Sequence, residues 1–340
     1  MLARDVRVGI TTTLPIEVLR AAGYAPVDLN NLFIGGDDAE RAVQEAERVG
    51  FPRSTCAWIK GIYATVKAEG FGRVVVVTGG DCSNAAALGE VLADEGVDVV
   101  PFAFPPGRDR AATALAIEAF ADRLEATVAT AEEVFARLSR SRALLAELDE
   151  LTWREGVVSG RENFDWLLKG CDFAGGAEAF DEEAGRFLSQ VRGRVQRKGR
   201  VRAERKGRVR LGVAGVPPIN DDLFEFLDDM GAAVVFNELP RQFALLAGGD
   251  DLADAYTRYT YPYGAGPRIA DIKREVERRG VQGLVHYVQS FCYRGIQDIL
   301  VRRAVPVPVL TLEGERPGPL SAQQRLRLET FVEMLAGAAR

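Results

Sequence analysis

The chain has 340 residues, 47% hydrophobic and 27% charged, the make-up of a globular protein long enough for two α/β domains, each with its own core. No apolar run approaches the roughly 20 residues that span a bilayer, and Met1 to Arg7 lack a signal peptide's apolar region, so a cytoplasmic address without membrane contact is expected. The single histidine, His286, excludes a three-histidine zinc site, and the four cysteines make no disulfide framework but leave metal or redox chemistry open, while the net charge of −6 hides one strongly basic run.

Val6–Ile10 reads as a first strand, and Thr11-Thr12-Thr13-Leu14-Pro15-Ile16-Glu17 leads into a helix reaching Ala22, with a threonine cap, Pro15 near the first turn and Glu17 complementing the dipole. Ala25–Leu29 is a second strand ending in Asn30-Asn31, and Asp38–Val49 is an amphipathic helix. Pro52, Ser54 and Thr55 mark another helix start, which places Cys56 in a first helical turn near unbonded N–H groups. The four β-branched residues Val74–Val77 read as a strand buried on both faces, ended by Gly79-Gly80. Asp81, Ser83 or Asn84 is expected to cap the helix Ala85–Glu95, which sets Cys82 beside the positive end of a helix dipole. Such a setting favours thiolate, although for a lone cysteine a small apolar residue closing a strand-helix turn is the preferred reading. Val97–Phe102 is one more buried strand. Alternation of strand and helix to this point predicts a parallel, doubly wound sheet.

From Arg110 to about Arg194 the pattern becomes helical, with long periods over Ala111–Leu138, Ser141–Glu150 and Asp181–Arg194. A basic run follows from Val191 to Arg210, with Glu204 its only acid; within it Arg197-Lys198-Gly199-Arg200-Val201-Arg202 is repeated at Arg205–Arg210. A basic run can bind nucleic acid or cofactor phosphates, but no aromatic residue interleaves to stack on bases. It is therefore read as a solvated linker, and nucleic acid is not an expected partner. Strands resume at Val209–Val216, Ala233–Glu238, Gly283–Gln289 and Val307–Glu313, with helices over Asp222–Met230, Ile269–Arg279 and Ala322–Leu335. The predicted architecture is α/β: an N-terminal domain over 1–109, a helical bridge with the basic linker over 110–207, and a C-terminal α/β domain over 208–340.

Ligands of open α/β sheets gather at the carboxyl ends of strands. Cys82 and Cys292 occupy such ends, one in each half, and Cys56 starts a helix in the first half. Three thiols with few imidazoles suit zinc or an iron–sulfur cluster if they converge, though their spacing shows no local metal motif. Cys171, next to Asp172 and Phe173, is read as a packing residue.

Several stretches, taken together, carry a family resemblance. They are Pro15-Ile16-Glu17 with Ala21-Ala22-Gly23, then Phe51-Pro52-Arg53 with Cys56-Ala57-Trp58-Ile59-Lys60, then Gly80-Asp81-Cys82-Ser83-Asn84, and last Tyr287–Arg294 with Thr311–Gly314. In this order they resemble the 2-hydroxyacyl-CoA dehydratase D-component family, which also holds benzoyl-CoA reductase subunits and double-cubane cluster proteins. The resemblance implies two Rossmann-like domains joined by helices and a [4Fe-4S] cluster held by Cys56, Cys82 and Cys292. It also implies an ATP-dependent iron–sulfur activator that delivers one electron, radical elimination of water from a 2-hydroxyacyl-CoA, and pairing with a homologous subunit or a second copy as a dimer. Low-potential reductase chemistry and a non-catalytic partner subunit are the alternatives it leaves open. Glu17, Thr12, Lys60, Gln289 and Ser290 become candidates for orienting substrate. Structural roles stand beside these, with dipole pairing open to Glu17, a solvated helix face to Lys60 and a cap to Ser290. The chain also departs from the family: many members show Cys-Asp-x-x-Lys at the second cysteine, where Asp81 here precedes Cys82 and Ser83-Asn84 follow. The stretch Arg258–Gly264 lacks the extra cysteine that some relatives carry. No stretch announces a CoA site, and the basic repeat is a weak candidate for CoA phosphates.

Overall fold

The computed structural model describes residues 6–36, 38–196 and 207–338, so most of the basic repeat, 197–206, lies outside the described residues, while its last residues, Val209 and Arg210, open a strand rather than continue a solvated linker. The chain divides into two compact units, neither of them contiguous in sequence. Unit one is built from Met1–Ala143, Lys169–Asp181 and Gln242–Gly264; unit two from Leu144–Leu168, Glu182–Arg241 and Ala265–Arg340.

The sheet of unit one contains β1 (Val6–Ile10), β2 (Tyr24–Asp28), β3 (Arg73–Gly79) and β4 (Asp98–Ala103), all parallel in the order β2-β1-β3-β4. Val74 to Val77 are all fully buried, as four consecutive β-branched residues in a strand covered on both faces should be. The helices Ala57–Glu69 and Ser83–Asp94 cover one face, packing Ile59, Ile62, Leu88 and Leu92 into a cluster with Val74 and Val76. Strand order reverses between β1 and β3, which puts the topological switch point where Thr11-Thr12-Thr13 and the Gly80-Asp81-Cys82 turn leave the sheet.

Unit two repeats the plan with β5 (Val209–Gly215), β6 (Ala232–Asn237), β7 (Gly283–Gln289) and β8 (Val309–Gly314), parallel in the order β6-β5-β7-β8. Every residue of β7 is buried, and Leu284 joins Phe236, Ile272 and Val301 in the core. Both sheets are thus of the Rossmann-like, doubly wound kind that strand-helix alternation predicts.

The helical stretch differs from its predicted division. The period expected to run over Ala111–Leu138 is two helices, Arg110–Arg123 and Val128–Glu150, and the second absorbs the stretch expected to stand alone at Ser141–Glu150. The break falls where Glu125 turns into the left-handed region at φ +56° and Thr127 pairs its hydroxyl with Thr130 to start the next helix. Sequence periodicity continues through such a break because one left-handed residue leaves the apolar spacing on either side intact. Short helices at Leu29–Gly35, Glu238–Phe243 and Leu252–Arg258 were not expected; the first is nucleated by Asp28, whose carboxylate accepts the N–H groups of Asn30 and Asn31. Among the described residues no helix is long and apolar enough to cross a membrane.

Candidate functional site

In unit one, Cys56 and Cys82 are the N-cap residues of the helices Ala57–Glu69 and Ser83–Asp94. Neither side chain makes a cap hydrogen bond, and both residues are half-buried against the same apolar cluster. The expected helix starts shift slightly as a result. Pro52 to Thr55 form a tight turn closed by Thr55 N–H to Pro52 O at 2.9 Å, and the helix begins only after Cys56. Asp81 does not cap the next helix but accepts the N–H of Cys82 at 2.8 Å and the hydroxyl of Tyr261 at 2.9 Å. Two cysteines therefore stand where helix dipoles favour a thiolate.

In unit two, Cys292 follows β7 on a turn closed by its own N–H to Gln289 O at 2.9 Å, with Phe291 in the left-handed region at φ +63°. Its carbonyl accepts the N–H of Gly295 and so begins the helix Arg294–Ala304. Ser290 donates its hydroxyl to Glu313 at 2.9 Å, and Gln289 is buried, its amide nitrogen donating to Glu315 O at 2.7 Å. Below this turn Glu238 accepts two hydrogen bonds from Arg268, at 2.7 and 2.6 Å, and the N–H of Gly215 at 3.0 Å. Burial opposes ionisation of Glu238, but Arg268, the Gly215 amide and Arg294 outweigh it and hold the carboxyl below its ordinary range. His286, fully buried on β7, donates from Nδ1 to Asp298 at 2.7 Å, and Thr311 donates to the other oxygen of Asp298 at 2.8 Å.

The remaining candidates lie in unit one. Thr12 is buried at the carboxyl end of β1. Glu17 is 0% exposed, with one oxygen ion-paired to Arg142 and the other accepting the Tyr256 hydroxyl at 3.0 Å, so both carboxylate oxygens are committed within the unit. Lys60 is not on a solvated face: it is 2% exposed, and its Nζ donates to Glu47 at 2.7 Å and to Arg53 O at 3.2 Å. Its helix is buried almost all round, which leaves a lysine there no route to water except through a buried partner.

A buried polar cluster that sequence reasoning missed lies at the ends of β1 and β2. Asp28 N–H donates to Asp172 at 2.8 Å, and Thr13 donates to the sulfur of Cys171 at 3.6 Å. Burial and then the neighbouring Asp172 charge push the Asp28 carboxyl up to about 6, against the lowering effect of its bonds from Asn30 and Asn31. Burial also raises Asp172, and it lifts the Cys171 thiol well above its ordinary range with Asp28 adding to the effect. Cys171 is accordingly a neutral, packed thiol. The only signal in the sequence was the Cys171-Asp172 pair itself, whose partners lie far away along the chain.

Among the described residues, no group of three or more His, Cys, Asp or Glu side chains is arranged to hold a metal ion. A search of curated proteins found no match to the sequence. The family comparison did. The model for the 2-hydroxyglutaryl-CoA dehydratase D-component matches residues 11–335, which takes in every strand after β1, all three half-buried cysteines and their turns, and the chain belongs to that family.

Proposed function

We propose that this protein is an iron–sulfur enzyme or enzyme subunit of the 2-hydroxyacyl-CoA dehydratase type, with Cys56, Cys82 and Cys292 as ligands of a [4Fe-4S] cluster. The observation that carries the reading is the family match over nearly the whole chain, set beside thiols placed on strand-end turns and helix N-caps. The donor set fits the group chemically. Cysteine at an N-cap has its thiolate favoured by the helix dipole, and neither Cys56 nor Cys82 uses its side chain to cap its own helix. When bound, such a cluster supplies a low-potential electron and an iron with an open position.

The chain's own residues have definable parts in this reading. Asp81 fixes the backbone entering the Cys82 turn, and the Ser290–Glu313 and Gln289–Glu315 bonds fix the turn that precedes Cys292. Thr12, at the end of β1, and Ser290, at the end of β7, are the hydroxyls proposed to orient substrate, and Glu17 acts through Arg142 and Tyr256 as a positioning residue. The electron comes from an ATP-dependent iron–sulfur activator, and the substrate class is a 2-hydroxyacyl-CoA from which water is eliminated.

Purification under strict exclusion of oxygen, with iron and sulfide analysis, tests the reading. Iron and sulfide in near-equal amounts are expected; a colourless, iron-free protein after reconstitution overturns it. Cys82→Ser is expected to lose cluster, and unchanged cluster content in that variant refutes the ligand set. A second reading, a subunit that is active only when paired with a homologous chain or a second copy, is favoured by one observation. Phe291 is 75% exposed and Ile296 73%, and Ile299 and Leu300 continue that apolar stripe along one helix. Dehydration by a monomer of this chain with the activator alone argues against it.

A further inference from the structure

The turn that carries Cys82 is held largely from outside its own strand and helix. It leaves β3 at Gly79 and passes through Gly80 at φ +91°, a conformation suited to glycine. Asp81 then accepts two bonds with one oxygen, from the Cys82 amide at 2.8 Å and the Tyr261 hydroxyl at 2.9 Å. Tyr261 belongs to the segment Gln242–Gly264, which joins unit one from far along the chain. Its ring stacks on buried Tyr259 at 6.0 Å with an interplanar angle of 14°, and meets Phe243 edge-on at 5.3 Å. Pro262 presses on the same turn, since a Cβ placed on Gly80 would stand 2.6 Å from the Pro262 Cβ.

We propose that Tyr261 and Asp81 form a latch, two positioning residues that fix the Cys82 turn by tying its backbone to an aromatic segment packed beside it. A hydroxyl donating to a carboxylate is a strong bond, and it holds Asp81 in the rotamer that accepts the Cys82 amide. The aromatic stack fixes the hydroxyl in its turn, because the half-buried Tyr261 ring is held between buried Tyr259 and Phe243. The geometry of Cys82 is thereby set jointly by its neighbour Asp81 and by a residue about 180 positions away. The purpose of the latch, orienting a cluster ligand, rests on the reading above; the latch itself does not.

Amide hydrogen exchange on the full-length protein, kept reduced and metal-free, reads the latch directly. Tyr261→Phe removes only the hydroxyl, Asp81→Ala removes the acceptor, and Asp81→Asn keeps an oxygen that can accept both bonds. In Tyr261→Phe and Asp81→Ala the amides of residues 80–84 are expected to exchange about three- to tenfold faster, the range set by losing one such bond. Asp81→Asn is expected to stay within about twofold of the unmodified protein, and the helix Ala57–Glu69 to be unchanged in all three. A Tyr261→Phe protein that exchanges at the original rate overturns the latch, and so does equal acceleration in Ala57–Glu69, which marks general loosening. The second arm is iron loss to a chelator after anaerobic reconstitution with iron and sulfide, with several-fold faster loss expected in Tyr261→Phe. Equal loss rates refute the purpose assigned to the latch. Faster exchange in a protein that takes up no iron in any form leaves the latch standing and removes the cluster reading.

Discussion

Asp28→Asn should make unit one more stable at neutral pH while flattening its response to acid. In the folded chain the Asp28 carboxyl keeps its proton to about pH 6, whereas an exposed aspartate loses it near 3.8. The folded state therefore binds the proton more tightly. The stabilising contribution of this group is complete below about pH 3.8, is lost as pH rises toward 6, and stays lost above it. A gap of about two pH units at about 1.4 kcal/mol each amounts to about 3 kcal/mol of stability forgone at pH 7. Asparagine removes the buried charge beside Asp172 but retains an oxygen for the Asn30 and Asn31 amides, so the helix Leu29–Gly35 keeps its cap. Part of the gain goes into the altered local bonding, so a net stabilisation of about 1 to 3 kcal/mol is expected, or about 2 to 10 °C in melting temperature for a unit of this size. The assay is thermal unfolding of both proteins from pH 4 to pH 8, read as the difference between them so that other carboxylates cancel. The difference should be near zero at pH 4 and should open by pH 7. Parallel curves across that range, or a variant less stable at pH 7, refute the argument that a raised, charge-coupled carboxyl is buried there.

Three further outcomes follow from the same structure. Glu17→Ala leaves Arg142 buried without its carboxylate, while the Tyr256 hydroxyl keeps Leu14 O as an acceptor at 2.6 Å, so a loss of about 3 to 5 kcal/mol, from the stranded guanidinium, is expected in chemical denaturation; a loss under 1 kcal/mol would show the pair to be dispensable. Gly80→Ala combines a positive φ with a collision against Pro262 and Phe104, and should cost about 1 to 3 kcal/mol while raising proteolytic cleavage within Gln242–Gly264. Asp298 behaves opposite to Asp28. Burial raises it, but the bonds from His286 and Thr311 prevail and hold it below its ordinary range, so its stabilisation is present at neutral pH and lost as pH falls through the acid range. Asp298→Asn should lower stability at pH 7 and reduce the acid-induced loss, and an unchanged acid midpoint would contradict that assignment.

Both sheets were legible because their strands are buried on two faces and therefore spell themselves as β-branched runs, Val74–Val77 most plainly. Cys56 and Cys82 were legible as helix-start thiols because the signals around them, Pro52 to Thr55 for one and Gly79-Gly80 for the other, are also local. The segment Gln242–Gly264 was not. Its aromatic residues match no strand or helix period, and nothing in their spacing states that they return to pack on the first sheet's unit. For Lys60 the sequence offered a substrate-orienting role or a solvated helix face and gave no sign of its burial, because its partner Glu47 sits on a different helix. The Asp28, Asp172 and Cys171 cluster was hidden in the same way: each member looks like an ordinary cap or packing residue until a stretch some 140 positions later is brought against it. Local chemistry writes itself into sequence, whereas long-range polar partnership does not.

The interleaving of the two units has a consequence during synthesis. A ribosome releases β1 to β4 of the first sheet early, yet the Tyr261 hydroxyl that reaches Asp81, and the Tyr256 hydroxyl that reaches Glu17, emerge only after β5 and β6 of the second. The nascent first sheet must wait, with its Cys82 turn unclamped, until the second is already partly made. Assembly of this protein is thus a braid rather than a sequence of finished beads, and the thiol turn is among the last of its parts to be fastened.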